Sequence, residues 1–328
     1  MSLTPRLDKI DKNYLINSAK DLAQRSTSAE NLSASYQFLT LDRHVHKTAG
    51  SFNGTPTVQR VQDSPDGKTK YCSEFSSDFA SATAELYEAQ PIESVNARDL
   101  AGENVSFSVW VKSDSCTTLK LQLSTADTED DFSAVTQFHS SSKTITADGQ
   151  WQEVKFEDIA VATGAERGVM VEVVLTDSDS TGATESHRLT RGKLNIGSEA
   201  QEWSLAGRDY ADELSIAQRY YEKSYNLDTD PGTLAADPNA ITWSCPDPGN
   251  SALNTWSFMT TKRAFASFTV FSPVTGASGN IRNDSGSTDV VVGVPTNNDK
   301  FFKITSSPSI AGGSQLRCHY TADAEVTI

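Results

Sequence analysis

At 328 residues the chain is long enough for two domains of ordinary size, and 37% hydrophobic with 22% charged residues suits folded, soluble ones. Its formal charge of −15 argues against nucleic acid and against an anionic membrane surface as partners. Cys72, Cys116, Cys245 and Cys318 are widely spaced without a CxxC pair, which speaks against zinc ligation and a disulfide framework and for buried free thiols.

Residues 1–12 are short and polar, and Leu3, Leu7 and Ile10 recur at helical spacing. They read as an N-terminal arm, either a frayed end or a segment that orders on a partner. No signal peptide or lipidation motif is visible and no apolar stretch approaches bilayer length, so membrane insertion is not expected. Residues 13–208 read as a β-sandwich. Val105, Phe107, Val109 and Val111 alternate, as do Leu119, Leu121 and Leu123, and Val154 and Phe156 follow Trp151. Residues 168–175 form a more continuous apolar run, suited to a central strand.

Residues 209–226 read as one amphipathic connecting helix. Leu214, Gln218, Tyr221 and Tyr225 share a face at helical spacing, and Ile216 and Tyr220 widen it. Asp209 and Asp212 suit its first turn, Arg219 and Lys223 its last, and Asn226 can end it. A lone helix of this length is marginal in water, so its aromatic face, with Leu214, Gln218, Tyr220, Tyr221 and Tyr225, must pack on something. Residues 227–328 read as a second, small β domain. Residues 231–250 are rich in proline, 265–271 are apolar on both faces and suit a buried strand, and 290–294, 301–304 and 316–320 add more.

Several of these segments resemble one family. Glu213-Leu214 followed by Gln218-Arg219-Tyr220-Tyr221-Glu222-Lys223-Ser224 resembles the EL-x-x-CQRYYEKS signature of bacteriophage tail-fibre and related virion appendage proteins, with Ala217 in place of the usual cysteine. Asn13-Tyr14-Leu15-Ile16-Asn17 with Gln24-Arg25-Ser26-Thr27-Ser28 resembles that family's N-L-L-I-N…WQRGTS opening, and Leu41-Asp42-Arg43 its A-D-R-W element. Ala23, Ser26 and His44 depart from it, the first and last at places where an aromatic is usual. Gln90-Pro91-Ile92-Glu93, Leu100-Ala101-Gly102, the run from Val105 to Ser113 and Gly149-Gln150-Trp151-Gln152 resemble jelly-roll domains of the carbohydrate-binding-module kind, and the stretch from Leu194 to Glu199 departs from their V-Q-L-E-x-G strand. Phe271-Ser272-Pro273 with Thr275-Gly276 resembles the fibre proteins' Y-S-P-x-T-G turn, and Thr321-Ala322-Asp323-Ala324-Glu325 their Y-T-A-D-A-E-L terminus.

The resemblance implies a mainly β chain: a jelly-roll sandwich, a connecting α-helix and a small C-terminal β domain. It further implies a non-enzymatic tailed-phage virion protein, assembled in the bacterial host cytoplasm. The leading role is a tail-fibre or appendage subunit, a homotrimer that attaches to other virion proteins and presents a surface to the host, with a cell-surface glycan as a candidate partner. The alternatives are a capsid-decoration or head-fibre protein and a free carbohydrate-binding module.

The residues themselves carry no catalytic motif: no G-x-S-x-G, P-loop, H-E-x-x-H or dinucleotide turn. His44 and His46 read as a solvated or core-edge pair, and Asp127, Glu129, Asp130 and Asp131 as a solvated loop. Asp177, Asp179 and Thr181 begin like a calcium loop, but Arg188 at position twelve excludes an EF-hand, leaving at most a structural calcium and no other cofactor. Trp110 and Trp151 match structural positions and are expected in the core; Trp243 and Trp256, near the proline-rich stretch, are candidates for a glycan or subunit contact.

Overall fold

Alternation with period two places every second side chain of a strand on one face. The computed structural model describes residues 11–176, 183–204, 208–234, 239–245, 253–292, 296–305 and 310–328. They fall into two compact units, one of residues up to 23, 28–213 and 326–328, the other of residues 24–27 and 214–325.

The first unit is an antiparallel two-sheet sandwich of the jelly-roll class. Its strands are β1 (Glu30–Asn31), β2 (Val45–Ala49), β3 (Thr57–Gln62), β4 (Tyr71–Ser77), β5 (Glu85–Ile92), β6 (Asn104–Ser113), β7 (Thr118–Thr128), β8 (Asp131–Thr144), β9 (Gln152–Ala160), β10 (Val169–Thr176) and β11 (Glu185–Ile196). One sheet has the order β1-β3-β4-β11-β6-β9 and the other β2-β5-β10-β7-β8. The alternating valines and Phe107 of β6 pack with the leucines of β7 and with Val169, Val171, Val173 and Leu175 of β10. The apolar run at 168–175 is indeed a central strand, flanked by β5 and β7.

Trp110 and Trp151 are not in this core. Trp110 lies between the inward Val109 and Val111, so parity turns it to the outer face. There the Arg191 guanidinium lies 5.9 Å from the Trp110 ring and 5.4 Å from that of Trp203. Arg191 sits at a register shift between Thr190 and Lys193, with φ +54°. Trp151 Nε1 donates to Asp63 Oδ1 at 3.3 Å. A satellite core on the other sheet joins Val45, Ala89, Ala126, Phe132 and Met170 to Val326, and Phe132 N donates to Thr327 O at 2.8 Å.

The second unit contains β12 (Tyr221–Lys223), β13 (Ile241–Ser244), β14 (Leu253–Ser257), β15 (Ser267–Phe271), β16 (Asn280–Asn283), β17 (Thr288–Val291), β18 (Thr296–Asn297), β19 (Phe301–Thr305) and β20 (Gln315–Asp323). β20 is its spine and pairs with β12, β13, β15 and β16. β14, β19 and β18 form a separate sheet. Trp243, Phe258, Val270, Ile281, Phe302, Leu316 and Tyr320 are in its core. The run 265–271 is not a buried strand throughout: Phe265 is 76% exposed, and β15 starts only at Ser267, with Val270 buried.

A four-residue helix, α1 (Ser94–Ala97), follows β5, and the chain passes between the units along α2 (Tyr210–Gln218). The helix is half as long as expected. Its start is as read, since Asp212 N donates to Asp209 Oδ1 at 2.9 Å and Asp209 N to Asp212 Oδ2 at 3.2 Å. Its end comes early because distant donors take the next carbonyls: Lys262 Nζ that of Gln218, Arg263 N that of Arg219 (3.0 Å) and Ala324 N that of Tyr220 (2.7 Å). Tyr221, Glu222 and Lys223 then pair with β20 as a strand. All four cysteines are buried thiols.

Candidate functional site

Four of the segments that carry the resemblance to fibre proteins, at 24–27, 218–224, 271–276 and 321–325, lie in the second unit. Arg25 Nη1 donates to Asp323 Oδ2 at 2.7 Å and Nη2 to Glu325 Oε1 at 3.4 Å, while the guanidinium lies 3.9 Å from the Tyr221 ring centroid. Burial opposes the Arg25 charge, and the two carboxylates outweigh it, so its pKa is raised. Gln24 Nε2 donates to Tyr221 O at 3.1 Å. Glu222 is fully buried and accepts from Lys262 Nζ (2.6 Å), the Tyr320 hydroxyl (2.5 Å) and Met259 N (3.1 Å to Oε2). Lys223 Nζ donates to the carbonyls of Leu227 and Thr229, each at 2.8 Å. Ser224 Oγ accepts from Tyr320 N at 2.9 Å and bonds His319 Nδ1 at 3.0 Å. The polar residues of the YYEKS run are therefore ties that hold β12 and the loop after it.

Tyr225 stacks on His319 with ring centroids 3.9 Å apart, and its hydroxyl accepts from Gly232 N at 3.1 Å. The loop at Gly232 in turn meets the turn from Ser272 to Gly276. Gly276 has φ +71°, and a Cβ there would fall 2.1 Å from Gly232 O. Only glycine fits both the conformation and the space.

Beside these ties lies a hollow of about 440 Å³, within the usual range of small-ligand sites. Trp256, Tyr225, Tyr320 and Phe302 supply rings to its wall, and Leu214, Ile241 and Met259 further apolar surface. Gln218, Asn226 and Asn239 add amides, and Asn239 Nδ2 donates to Asn226 Oδ1 at 2.7 Å. No aspartate or glutamate is among its described lining residues. Of the residues expected on the helix face, Leu214, Gln218 and Tyr225 line the hollow, whereas Tyr220 and Tyr221 are buried away from it.

The two tryptophans singled out in sequence have different fates. Trp243 is 7% exposed, a core residue, which removes it as a ligand contact. Trp256 meets it edge-on at 5.0 Å, stacks on Phe302 at 5.6 Å and stays half-buried on the hollow. Asn239, Met259 and Tyr320 had no signal in the sequence, since only the fold brings them together.

In the sandwich, His44 and His46 are neither solvated nor at the core edge: both are buried. Glu88 and Gln90 face inward from β5, opposite Val173 and Val171 of β10. Lys20 Nζ donates to Glu88 Oε1 at 2.5 Å, His44 Nδ1 lies 3.0 Å from Lys20 Nζ, and His46 Nε2 lies 3.4 Å from Glu88 Oε2. Gln90 pairs with the backbone of Ile16 in both directions, at 2.6 and 2.8 Å. Burial, then the neighbouring lysine, pushes His44 well below its usual pKa; burial also lowers His46. Burial opposes the Glu88 charge, but Lys20 and the histidines hold that carboxyl well below its usual range. The cavity beside them, about 20 Å³, has room for a water and no more.

Among the described residues no group of three or more His, Cys, Asp or Glu could hold a metal ion. Asp177, Asp179 and Thr181, together with residues 1–10, lie outside the described residues. The acidic run at 127–131 is the half-exposed turn from β7 to β8, where Asp130 accepts from Ser94 N at 2.6 Å.

No family model matches the chain, and no curated protein matches it in sequence. Among solved structures it is similar to the enzymatically active domain of tailspike protein 4 of bacteriophage CBA120, with 13% identity over 47% of this chain and 19% of that one, at a TM-score of 0.35. It is similar to TmCBM61 in complex with β-1,4-galactotriose, with 13% identity over 57% and 99% of the two chains, at a TM-score of 0.33. The family 11 carbohydrate-binding module of a Clostridium thermocellum cellulosomal cellulase matches at 11% identity over 54% and 99%, with a TM-score of 0.31. Likenesses at this level assign neither ligand nor role.

Proposed function

We propose that the chain is a non-enzymatic structural subunit of a tailed-bacteriophage virion, a tail-fibre or appendage protein whose second unit presents a surface to the host. The observation that carries this reading is the convergence of the matched segments. Gln24-Arg25, Tyr221, Asp323 and Glu325 are far apart in sequence and bonded or stacked together within one unit. Chance matches of short segments would have no reason to meet. A non-enzymatic role is supported by the buried Lys20–Glu88 and Lys262–Glu222 pairs, whose charges are taken up by each other, and by a hollow with no carboxylate among its described lining residues to act as acid or base. Assembly as a trimer is part of the proposal. Phe265, 76% exposed, is an apolar side chain that supports it.

The test is mass spectrometry of density-purified particles from lysates in which the chain is produced, with immunogold labelling of the same particles. Stoichiometric copies on the virion are expected, and native mass spectrometry of the free protein should give a trimer. Protein abundant in the lysate and absent from the particles would refute the appendage reading in favour of a free carbohydrate-binding module.

A further inference from the structure

We infer that the hollow of the second unit is a binding site for an uncharged pyranose, a piece of glycan of about one or two sugar rings. The inference deepens the appendage reading, on which it rests for the source of the ligand; the chemistry is argued from the wall alone. A pyranose has apolar C–H faces and a rim of hydroxyls, each of which both donates and accepts. The wall of the hollow has the matching halves. Trp256 supplies a flat, half-exposed ring, and Gln218, Asn226 and Asn239 supply amides that donate and accept. The hydrogen bond between Asn239 and Asn226 fixes the orientation of both.

Charge narrows the class. Among the described residues no aspartate or glutamate lines this hollow, so the described wall has no counter-charge for a cationic ligand. The cation in its wall, Lys223, directs Nζ to two backbone carbonyls, which disfavours an anion. A purely apolar ligand would strip water from the amides without replacing its hydrogen bonds.

Four rings of the sandwich have a cation of the chain beside them. Lys47 lies over Tyr36 and Tyr87, at 4.0 and 4.5 Å, and Arg191 lies beside Trp110 and Trp203. Among the described residues the ring partners of Trp256 are Trp243 and Phe302. The wall behind it is tied by the Tyr320–Glu222 bond, so little ordering is left to binding.

The experiment titrates the full chain with methyl β-D-glucopyranoside, methyl β-D-galactopyranoside, methyl N-acetyl-β-D-glucosaminide, lactose and cellobiose. N-acetylneuraminic acid, glucosamine and indole serve as charged and apolar comparators. Saturation-transfer NMR and tryptophan fluorescence are the readouts. At least one neutral glycoside is expected to bind with a Kd of about 1 mM or tighter, and Trp256→Ala to weaken it by at least about tenfold. Because Trp256 also packs on Trp243 and Phe302, Asn239→Ala, at an exposed position, is the second variant and should weaken the same glycoside. Trp110→Ala should leave binding unchanged.

No neutral glycoside bound at about 10 mM would overturn the assignment. So would binding unaffected by Asn239→Ala and Trp256→Ala, or tighter binding of a comparator. Particle content separates the two readings. Protein present on virions but without saccharide affinity overturns the ligand and leaves the appendage role; saccharide affinity in a protein absent from virions does the reverse.

Discussion

Replacing Glu222 with glutamine keeps the volume of the side chain and removes one charge from a pair in which both partners are fully buried. Lys262 Nζ then loses its carboxylate at 2.6 Å and keeps the Gln218 carbonyl, while the Tyr320 hydroxyl and Met259 N must share a weaker acceptor. Breaking a buried ion pair from one side costs about 3–5 kcal/mol, because the remaining charge is left uncompensated. The pH dependence should carry the signature. Burial already lowers the pKa of Lys262, with Glu222 opposing it, and without Glu222 the folded-state value falls further below that of the unfolded chain. A group depressed in this way is stabilising above its unfolded pKa and loses that contribution as pH falls. The variant should therefore gain on the parent between pH 7 and the alkaline range, by up to about 1.4 kcal/mol per pH unit. Urea denaturation at several pH values, followed by tryptophan fluorescence and by hydrogen exchange of β20, gives both quantities for the second unit. The double variant Glu222→Met with Lys262→Met removes both charges and should recover most of the loss. A cost below about 1 kcal/mol for Glu222→Gln alone would refute the account of Glu222 as the tie that holds β12 to the spine.

In the sandwich, His44 and His46 have depressed folded-state pKa values, so their contribution is complete above the unfolded value near 6.5 and is lost as pH falls below it. Acid titration should cost up to about 1.4 kcal/mol per pH unit for each histidine, with Glu88 adding the same sign below its ordinary range; His44→Gln with His46→Gln should flatten the slope between pH 6.5 and 5, and an unchanged slope would exclude these residues as its source. Gly276→Ala and Gly279→Ala share a left-handed backbone, at φ +71° and +73°, but a Cβ at 279 has nothing within 4 Å. Calorimetry should show a loss of about 2–4 kcal/mol at 276 and about 1–2 at 279; equal losses would mean that the Gly232 carbonyl yields freely.

The sandwich was legible because each of its main strands buries one face and the alternation survives in the sequence. The over-long helix has a simple cause. Tyr221 and Tyr225 are four apart, a spacing that satisfies a helix turn and a strand face alike, and the donors that stop the helix come from Lys262, Arg263 and Ala324. The outer placement of Trp110 is legible from parity, since it alternates with the inward Val109 and Val111; the expectation of a core position came from the family resemblance. The buried histidines were illegible for another reason. A polar side chain reads as surface until its partners are known, and Lys20 and Glu88 are distant in sequence. The hollow is the extreme case: its wall draws on residues from Leu214 to Tyr320, and of its lining only Trp256 had been singled out as a ligand contact.

The interleaving of the units along the chain bears on how the protein is made. Residues 24–27 belong to the second unit although the sandwich surrounds them in sequence, and residues 326–328 belong to the sandwich although the second unit precedes them. On the ribosome, the sandwich therefore waits for Val326 and the Thr327 carbonyl, which seats Phe132, until the whole second unit has been synthesised. Arg25, conversely, emerges about three hundred residues before its carboxylate partners. Closing such long loops is slow, and it favours a last, concerted step over independent folding from the N-terminus. Translation arrested before residue 323 should release a chain with neither unit complete, so cutting the protein at α2 is a poor way to obtain either half.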